Sequence, residues 1–322
     1  MARTTGEPDA AGQSDTGGIV VGVDGSPGSV AALRWSVDEA ARRRLPVTAV
    51  LVWDAIGEPR SVFDAASSAD RAGLAQAARR VLADTVAAVH IPDPAVTVTE
   101  RVEEGSPVPE LLRLAIGAQL VVVGERGHGA LHRLVAGSVC QGLVHHASLP
   151  VVVVPGDDDR PDGAAGAAGP GDAAGTAATS VAERPVVVGI DGSDASLRAL
   201  RWAVAAATVR KTALRVVHAW HLEVPVYPGI YGDFGSALAE QAQRTLNDAV
   251  DTIIAEHGGG LPVQVAKETV ADSPARALLH AAAAAQLLVV GSRGRGGFTE
   301  LLLGSVSHQC VTHAPCPVAV IR

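Results

Sequence analysis

IVVGVDGSPGSVAALRW, Ile19 to Trp35, returns as VVVGIDGSDASLRALRW, Val186 to Trp202, at an offset of 167 residues. Each copy starts on a β-branched apolar run, breaks at Asp-Gly-Ser, and continues with Ala, Leu and Arg at helical spacing, which predicts strand, turn and helix. The alternation goes on through the first copy. VTAVLVW, AVTVTERV, QLVVVG and PVVVV read as strands whose near-continuous apolarity predicts burial on both faces. DRAGLAQAARRVLADTVAAV, SPVPELLRLAIG and SVCQGLVHHA read as helices. Strand and helix in turn predict an α/β fold, a parallel sheet covered on both sides, with ligands outside the carboxyl ends of its strands.

The offset of 167 also relates Gly124 to Gly291, Gly137 to Gly304 and Pro150 to Pro317, so one domain is duplicated without net insertion between its landmarks. The domains expected are 18–155 and 184–322, after a leader, 1–17, expected to be disordered. Between them 156–183, rich in Gly, Ala, Asp and Pro, predicts a flexible linker with a reach of roughly 30 Å. The balance of 26 Lys and Arg against 34 Asp and Glu disfavours a nucleic-acid or anionic-membrane partner, both of which call for a basic face. Cys140, Cys310 and Cys316 fall in no metal or disulfide spacing, as expected of a cytoplasmic protein. The longest apolar stretch, ALLHAAAAAQLLVVG, is interrupted by His280 and Gln286 and falls short of a membrane span.

Both copies then carry a glycine frame: G, two residues, G, nine residues, G-S. In VVVGERGHGALHRLVAGSV, Val121 to Val139, the strand ends at Gly124, and Gly137-Ser138 opens a helix; VVGSRGRGGFTELLLGSV, Val289 to Val306, repeats this with other filling. A helix N-terminus offers free N–H groups and partial positive charge to a phosphate, and Gly124 and Gly127 would let a ligand approach the backbone. The plainer reading makes the glycines tight turns, and Ser138 and Ser305 ordinary N-caps. Neither a G-K dipeptide nor G-x-G-x-x-G occurs, which excludes a Walker A loop and the dinucleotide fingerprint.

The glycine frame, the VGVDGS and VGIDGS first strands and the closing PVVVV-type strand, in order and twice, resemble the tandem universal stress proteins of the ATP-binding subclass. That resemblance implies two tandem Rossmann-like domains, each a five-stranded, mainly parallel sheet flanked by helices. It implies one adenine nucleotide per domain, ATP or else ADP or AMP, with Mg²⁺ an optional companion of the phosphates. By position it places adenosine against Gly22, Val23 and Asp24 and against Gly189, Ile190 and Asp191, with adenine on Val52 and Ala219. It places ribose and phosphates along Val123, Gly124, Glu125, Arg126 and Gly127, and along Val290, Gly291, Ser292, Arg293 and Gly294. The phosphate tail falls at Gly137, Ser138 and Val139, and at Gly304, Ser305, Val306 and Ser307. Cys140 stands where the second copy has Ser307, which questions one phosphate contact of the first site.

Several of these residues have plain alternatives. Asp24 and Asp191 read as adenosine ligands or as Asx-turn residues, and their place at the carboxyl edge favours binding. Arg126 and Arg293 read equally as phosphate ligands and as solvated loop residues. His128 and His132 become Arg295 and Thr299, and Glu125 becomes Ser292, so no acid or base is common to both loops. That disfavours a dedicated ATPase, which needs a positioned water and charge stabilisation. His145 and His146 read as surface residues, and Trp35 and Trp202 as helix-packing anchors.

The expected function is a nucleotide-dependent regulator of stress survival or growth arrest, with a slow ATPase or a nucleotide-dependent transferase as the alternative. A duplicate that has lost its ligand is opposed by the intact glycines and serines of both copies. The apolar PVVVV and PVAVI strands would be hazardous as open edges, and the resemblance implies that this strand pairs across a two-fold axis, so the repeats are expected to pair within one chain as a pseudo-dimer. A homodimer of chains and a protein partner of unknown kind are left open.

Overall fold

The computed structural model of the protein describes residues 17–54, 59–68, 70–127, 137–156, 183–221, 231–294 and 303–322. The expected leader and linker lie outside the described residues, apart from their ends at 17, 156 and 183. The first copy runs β1 (Ile19–Gly22), α1 (Pro27–Arg43), β2 (Val47–Trp53), α2 (Arg60–Ala65), α3 (Arg71–Ala87), β3 (Val98–Glu104), α4 (Pro107–Leu114), β4 (Leu120–Gly124), α5 (Ser138–His146) and β5 (Val151–Val154). The second runs β6 (Val186–Gly189), α6 (Asp194–Arg210), β7 (Leu214–Trp220), α7 (Tyr231–Glu256), β8 (Val265–Ala271), α8 (Pro274–Ala282), β9 (Leu287–Gly291), α9 (Ser305–His313) and β10 (Val318–Ile321).

Local chemistry accounts for the first helix of each copy. Ser26 caps α1 by accepting from Ser29 N–H at 3.2 Å, and Ser193 caps α6 from Ser196 N–H at the same distance. Pro27, with φ already near the helical value, sits in the first turn of α1. Both helices end on a left-handed residue, Arg44 and Lys211.

One ten-stranded sheet runs β3-β2-β1-β4-β5-β10-β9-β6-β7-β8. Pairing is parallel throughout each copy and antiparallel only at the seam, where Val151, Val152 and Val153 of β5 face Val320, Ala319 and Val318 of β10. The two apolar strands thus cover each other, as their composition demands. Helices α1, α3, α6 and α7 pack on one face around Leu33, Leu82, Leu200 and Leu246. Helices α4, α5, α8 and α9 cover the other around Leu111, Leu143, Leu278 and Cys310.

The expectation that every strand is buried on both faces fails at the two ends of the sheet. β3 and β8 each pair on one side only, and several of their side chains, Glu100 and Lys267 among them, reach solvent. Charged residues on such an edge discourage further strand addition. Helix α2 was not anticipated from the sequence; six residues give too short a pattern to read. No described helix is long and apolar enough to cross a membrane.

Candidate functional site

The sheet order places a switch point in each copy. From β1 the chain moves to β2 on one side and returns to β4 on the other, leaving a crevice above the carboxyl ends of β1 and β4. The second crevice lies between β6 and β9. Gly22, Val23 and Asp24 leave β1 at the first crevice, and Gly124 to Gly127 leave β4 beside them. Gly189, Ile190 and Asp191 meet Gly291 to Gly294 in the same way.

Asp24 fulfils both of its sequence readings at once. Its Oδ1 accepts from Ser26 N–H at 3.0 Å and from the Ser26 hydroxyl at 2.5 Å, an Asx turn. Its Oδ2 is aimed at the glycine loop, so close to Gly127 that any side chain there would collide with it. Asp191 repeats the arrangement with Ser193, at 2.9 and 2.6 Å, and with Gly294. The Asp24 carbonyl accepts from the Ser61 hydroxyl of α2 at 2.5 Å. Sequence reasoning missed Ser26, Ser193 and Ser61 as positioning residues. The serine of each Asp-Gly-Ser was a visible signal; Ser61 had none. His218, whose Nδ1 lies 2.8 Å from the Ile190 carbonyl, was also missed, although a histidine in the apolar run LRVVHAW is conspicuous.

The phosphate end is assembled by two backbone hydrogen bonds. Gly137 N–H donates to the Glu125 carbonyl at 2.8 Å, and Gly304 N–H to the Ser292 carbonyl at 2.8 Å. Each bond draws the start of α5 or α9 onto the strand end, across a loop whose centre, 128–136 or 295–302, lies outside the described residues. His128, His132, Arg295 and Thr299 fall there.

Gly137 and Gly304, not Ser138 and Ser305, are the N-caps, and among the described residues no side chain caps either helix. The N-cap reading of the serines is therefore corrected: both occupy the first helical turn, beside amides that have no partner within the helix. Ser138, Val139 and Cys140 lead α5, and Ser305, Val306 and Ser307 lead α9.

Two further roles change. Gly124 and Gly291 were expected to clear the way for a ligand. A Cβ on Gly124 would lie 2.7 Å from the Gly28 carbonyl carbon, and one on Gly291 would lie 3.0 Å from that of Ala195. Both glycines instead admit the first turn of α1 or α6 against the strand. Ser307 was expected to hold phosphate. Its hydroxyl donates to the Gly291 carbonyl at 2.6 Å, bracing α9 on β9 from inside. Cys140, its counterpart, is buried.

Burial separates the remaining residues. Val52, Val123 and Val290 are buried at the crevice walls, and Ala219 is half-buried. Arg126 is half-buried and Arg293 is exposed, a difference between the copies that the repeat alone does not reveal. His146 is exposed as expected, whereas His145 is half-buried at the seam. Among the described residues no group of three His, Cys, Asp or Glu is arranged to hold a metal ion.

Comparison with known proteins agrees with this geometry. The model of the universal stress protein family matches twice, over residues 17–155 and 183–322. A universal stress protein of Mycolicibacterium smegmatis is 36% identical over 312 residues, 95% of this chain and 97% of its own. One of Mycobacterium tuberculosis is 36% identical over 313 residues, with the same coverage. The crystal structure of a universal stress protein from Archaeoglobus fulgidus superimposes with a TM-score of 0.63 over 96% of this chain and 98% of its own, at 19% identity, which establishes the fold. With two matches, and full-length relatives above 30% identity, the chain belongs to the universal stress protein family and carries its domain in tandem.

Proposed function

We propose that each crevice binds one adenine nucleotide, and that occupancy is the output: the protein is a nucleotide-dependent regulator of stress survival or growth arrest. The observation that carries this reading is the pair of 2.8 Å bonds from Gly137 and Gly304, which set helix starts, capped by no described side chain, beside the glycine loops. A helix N-terminus with no side chain on its amides suits a phosphate group. Asp24 Oδ2 and Asp191 Oδ2, directed into the crevices, would accept from the adenosine hydroxyls. ATP, ADP and AMP share these requirements. Mg²⁺ would arrive with the phosphates, which ordinarily supply much of its coordination. The cytoplasmic setting expected from three free cysteines belongs to the same reading.

The test is to purify the chain without added nucleotide, denature it, and identify and count the bases released. The reading expects ~2 adenine nucleotides per chain, one lost with Gly127→Val and the other with Gly294→Val, whose side chains would displace Asp24 and Asp191. Those loop positions are preferable to Gly124 and Gly291, where a side chain strikes helix backbone. No release, and no binding at millimolar ATP, sinks the reading.

A further inference from the structure

The seam is two-fold in its register. Val152 of β5 faces Ala319 of β10, its equivalent at the repeat offset, and the flanking pairs, Val151 with Val320 and Val153 with Val318, exchange under the same rotation. Arg43 and Arg210 are equivalent too, and each lies over the tryptophan of the other domain's first helix. Strand register and packing would therefore let a first domain pair with a first domain, or a second with a second, from another copy of the chain.

The buried charge does not repeat. Glu39 of α1 accepts from Arg43 at 2.5 Å and from Arg210, across the seam, at 3.1 Å. Its equivalent in α6 is Ala206, which is also buried. The side chains of Arg43 and Arg210 are 13% and 3% exposed, and a guanidinium keeps its proton even so. Glu39 is the one carboxylate among the described residues that either of them meets. Arg42, a further cation near Arg210, is exposed, where water screens it.

Two arginines and one glutamate leave the observed seam at +1. Two first domains would bury two of each, at 0, and two second domains would bury two arginines alone, at +2. The cost of burying charge grows with its square, as Born solvation does, so two seams at +1 lie below one at 0 together with one at +2. We propose that Glu39 selects the partner: it makes the α6–β10 face of the second domain one that only a first domain covers, from its own chain or from a second copy. Chains that associate through this seam then exchange unlike domains. A second domain does not pair with its like.

The experiment traps like pairs at the two-fold point of the full chain. Directly opposite residues of antiparallel strands lie within disulfide range, so with Ala319→Cys a bond between chains reports two paired second domains. Chains are unfolded, refolded in reductant at about 1 mM, comparable to the effective concentration of tethered domains, and then oxidised. The two-chain product is counted on a non-reducing gel, with the chain that lacks the new thiol as the blank for Cys140, Cys310 and Cys316. Without further substitution the product should stay at the blank. Glu39→Gln, which brings all three pairings to +2, and Ala206→Glu, which brings all three to 0, should each raise it at least ~10-fold. Glu39→Ala combined with Ala206→Glu restores one acid, on the other side, and should return the product to the blank. A product that Glu39→Gln does not raise, or a combined variant as high as Ala206→Glu, overturns the proposal. Glu39→Gln adds no atoms to the seam, so a misfit of the longer side chain at Ala206 does not decide the outcome.

Discussion

Arg210 of the second domain meets Glu39 of the first at 2.6 Å, with 3% and 0% of the two side chains exposed. Arg43 reaches the same carboxylate at 2.5 Å from its own helix. The two arginines are related by the repeat offset, and each also lies over the other domain's tryptophan: Arg43 over Trp202 at 5.4 Å, Arg210 over Trp35 at 5.6 Å. The carboxylate breaks the symmetry, because Ala206 stands where the second domain would repeat Glu39. One acid serves two buried cations, and Arg43 Nη2 is left with no hydrogen-bond partner among the described residues.

Glu39→Ala should therefore be costly. It leaves two guanidiniums, neither able to lose its proton, in a seam with no counter-charge, and the expected loss is about 3–5 kcal/mol. Guanidinium denaturation followed by tryptophan fluorescence checks this, since Trp35 and Trp202 report on the seam. A midpoint within error of the wild type would mean that strand pairing alone holds the domains together.

The seam also marks where sequence reading stopped. Trp35 and Trp202 are recognisable as packing anchors from their place in helical repeats, but which helix they meet depends on β5 pairing with β10. Glu39, within SVDEAARRR, looks like one more charge on a solvated face until that pairing buries it. The sheet, the duplication and the crevices were legible because strand period, helix period and turn chemistry are local. The roles of Gly124, Gly291 and Ser307 were not. Each is decided by a backbone atom that only the folded chain brings near, from α1, α6 or β9.

The glycines of the frame should separate into two kinds. Gly124→Ala forces a methyl group to 2.7 Å from helix backbone, which cannot yield as a flexible side chain would. A loss of roughly 1–3 kcal/mol is expected, as for other overpacked sites. Gly137→Ala and Gly304→Ala place the methyl group at 3.4 and 3.5 Å from the nearest atom, an ordinary contact, and should leave the melting temperature almost unchanged. Thermal melts of the ligand-free variants decide it. If Gly124→Ala melts like the wild type, the glycine serves ligand approach after all.

The three cysteines should be inert until the chain unfolds. Burial is the leading cause that raises the thiols of Cys140, Cys310 and Cys316 to about 12. At pH 8 the thiolate fraction is then on the order of 10⁻⁴, and only the thiolate is reactive. Titration with a disulfide reagent is expected to find no fast thiol in the native protein and three in guanidinium. A fast native thiol would show that the helix over it opens readily.

Acid should loosen the seam through His145. Its pKa lies below the ordinary 6.5, first because burial disfavours the imidazolium, then because His146, His308 and Arg322 add positive charge nearby. The Arg322 guanidinium donates to the His145 carbonyl, so the strongest local cation is held in place. A depressed folded pKa means that the unfolded chain takes up the proton first as pH falls. Between 6.5 and the lowered value the unfolded state holds more protons, so this contribution to stability is complete above 6.5 and is lost as pH falls through the folded value. The ring is only partly buried, and solvent screening keeps the effect small, on the order of 1–2 °C in melting temperature. Melts at pH 7.5 and 5.5 test it against His145→Gln, which keeps a polar side chain without the titration. The wild type should lose more stability on acidification than the variant; equal losses would place the acid sensitivity elsewhere in the chain.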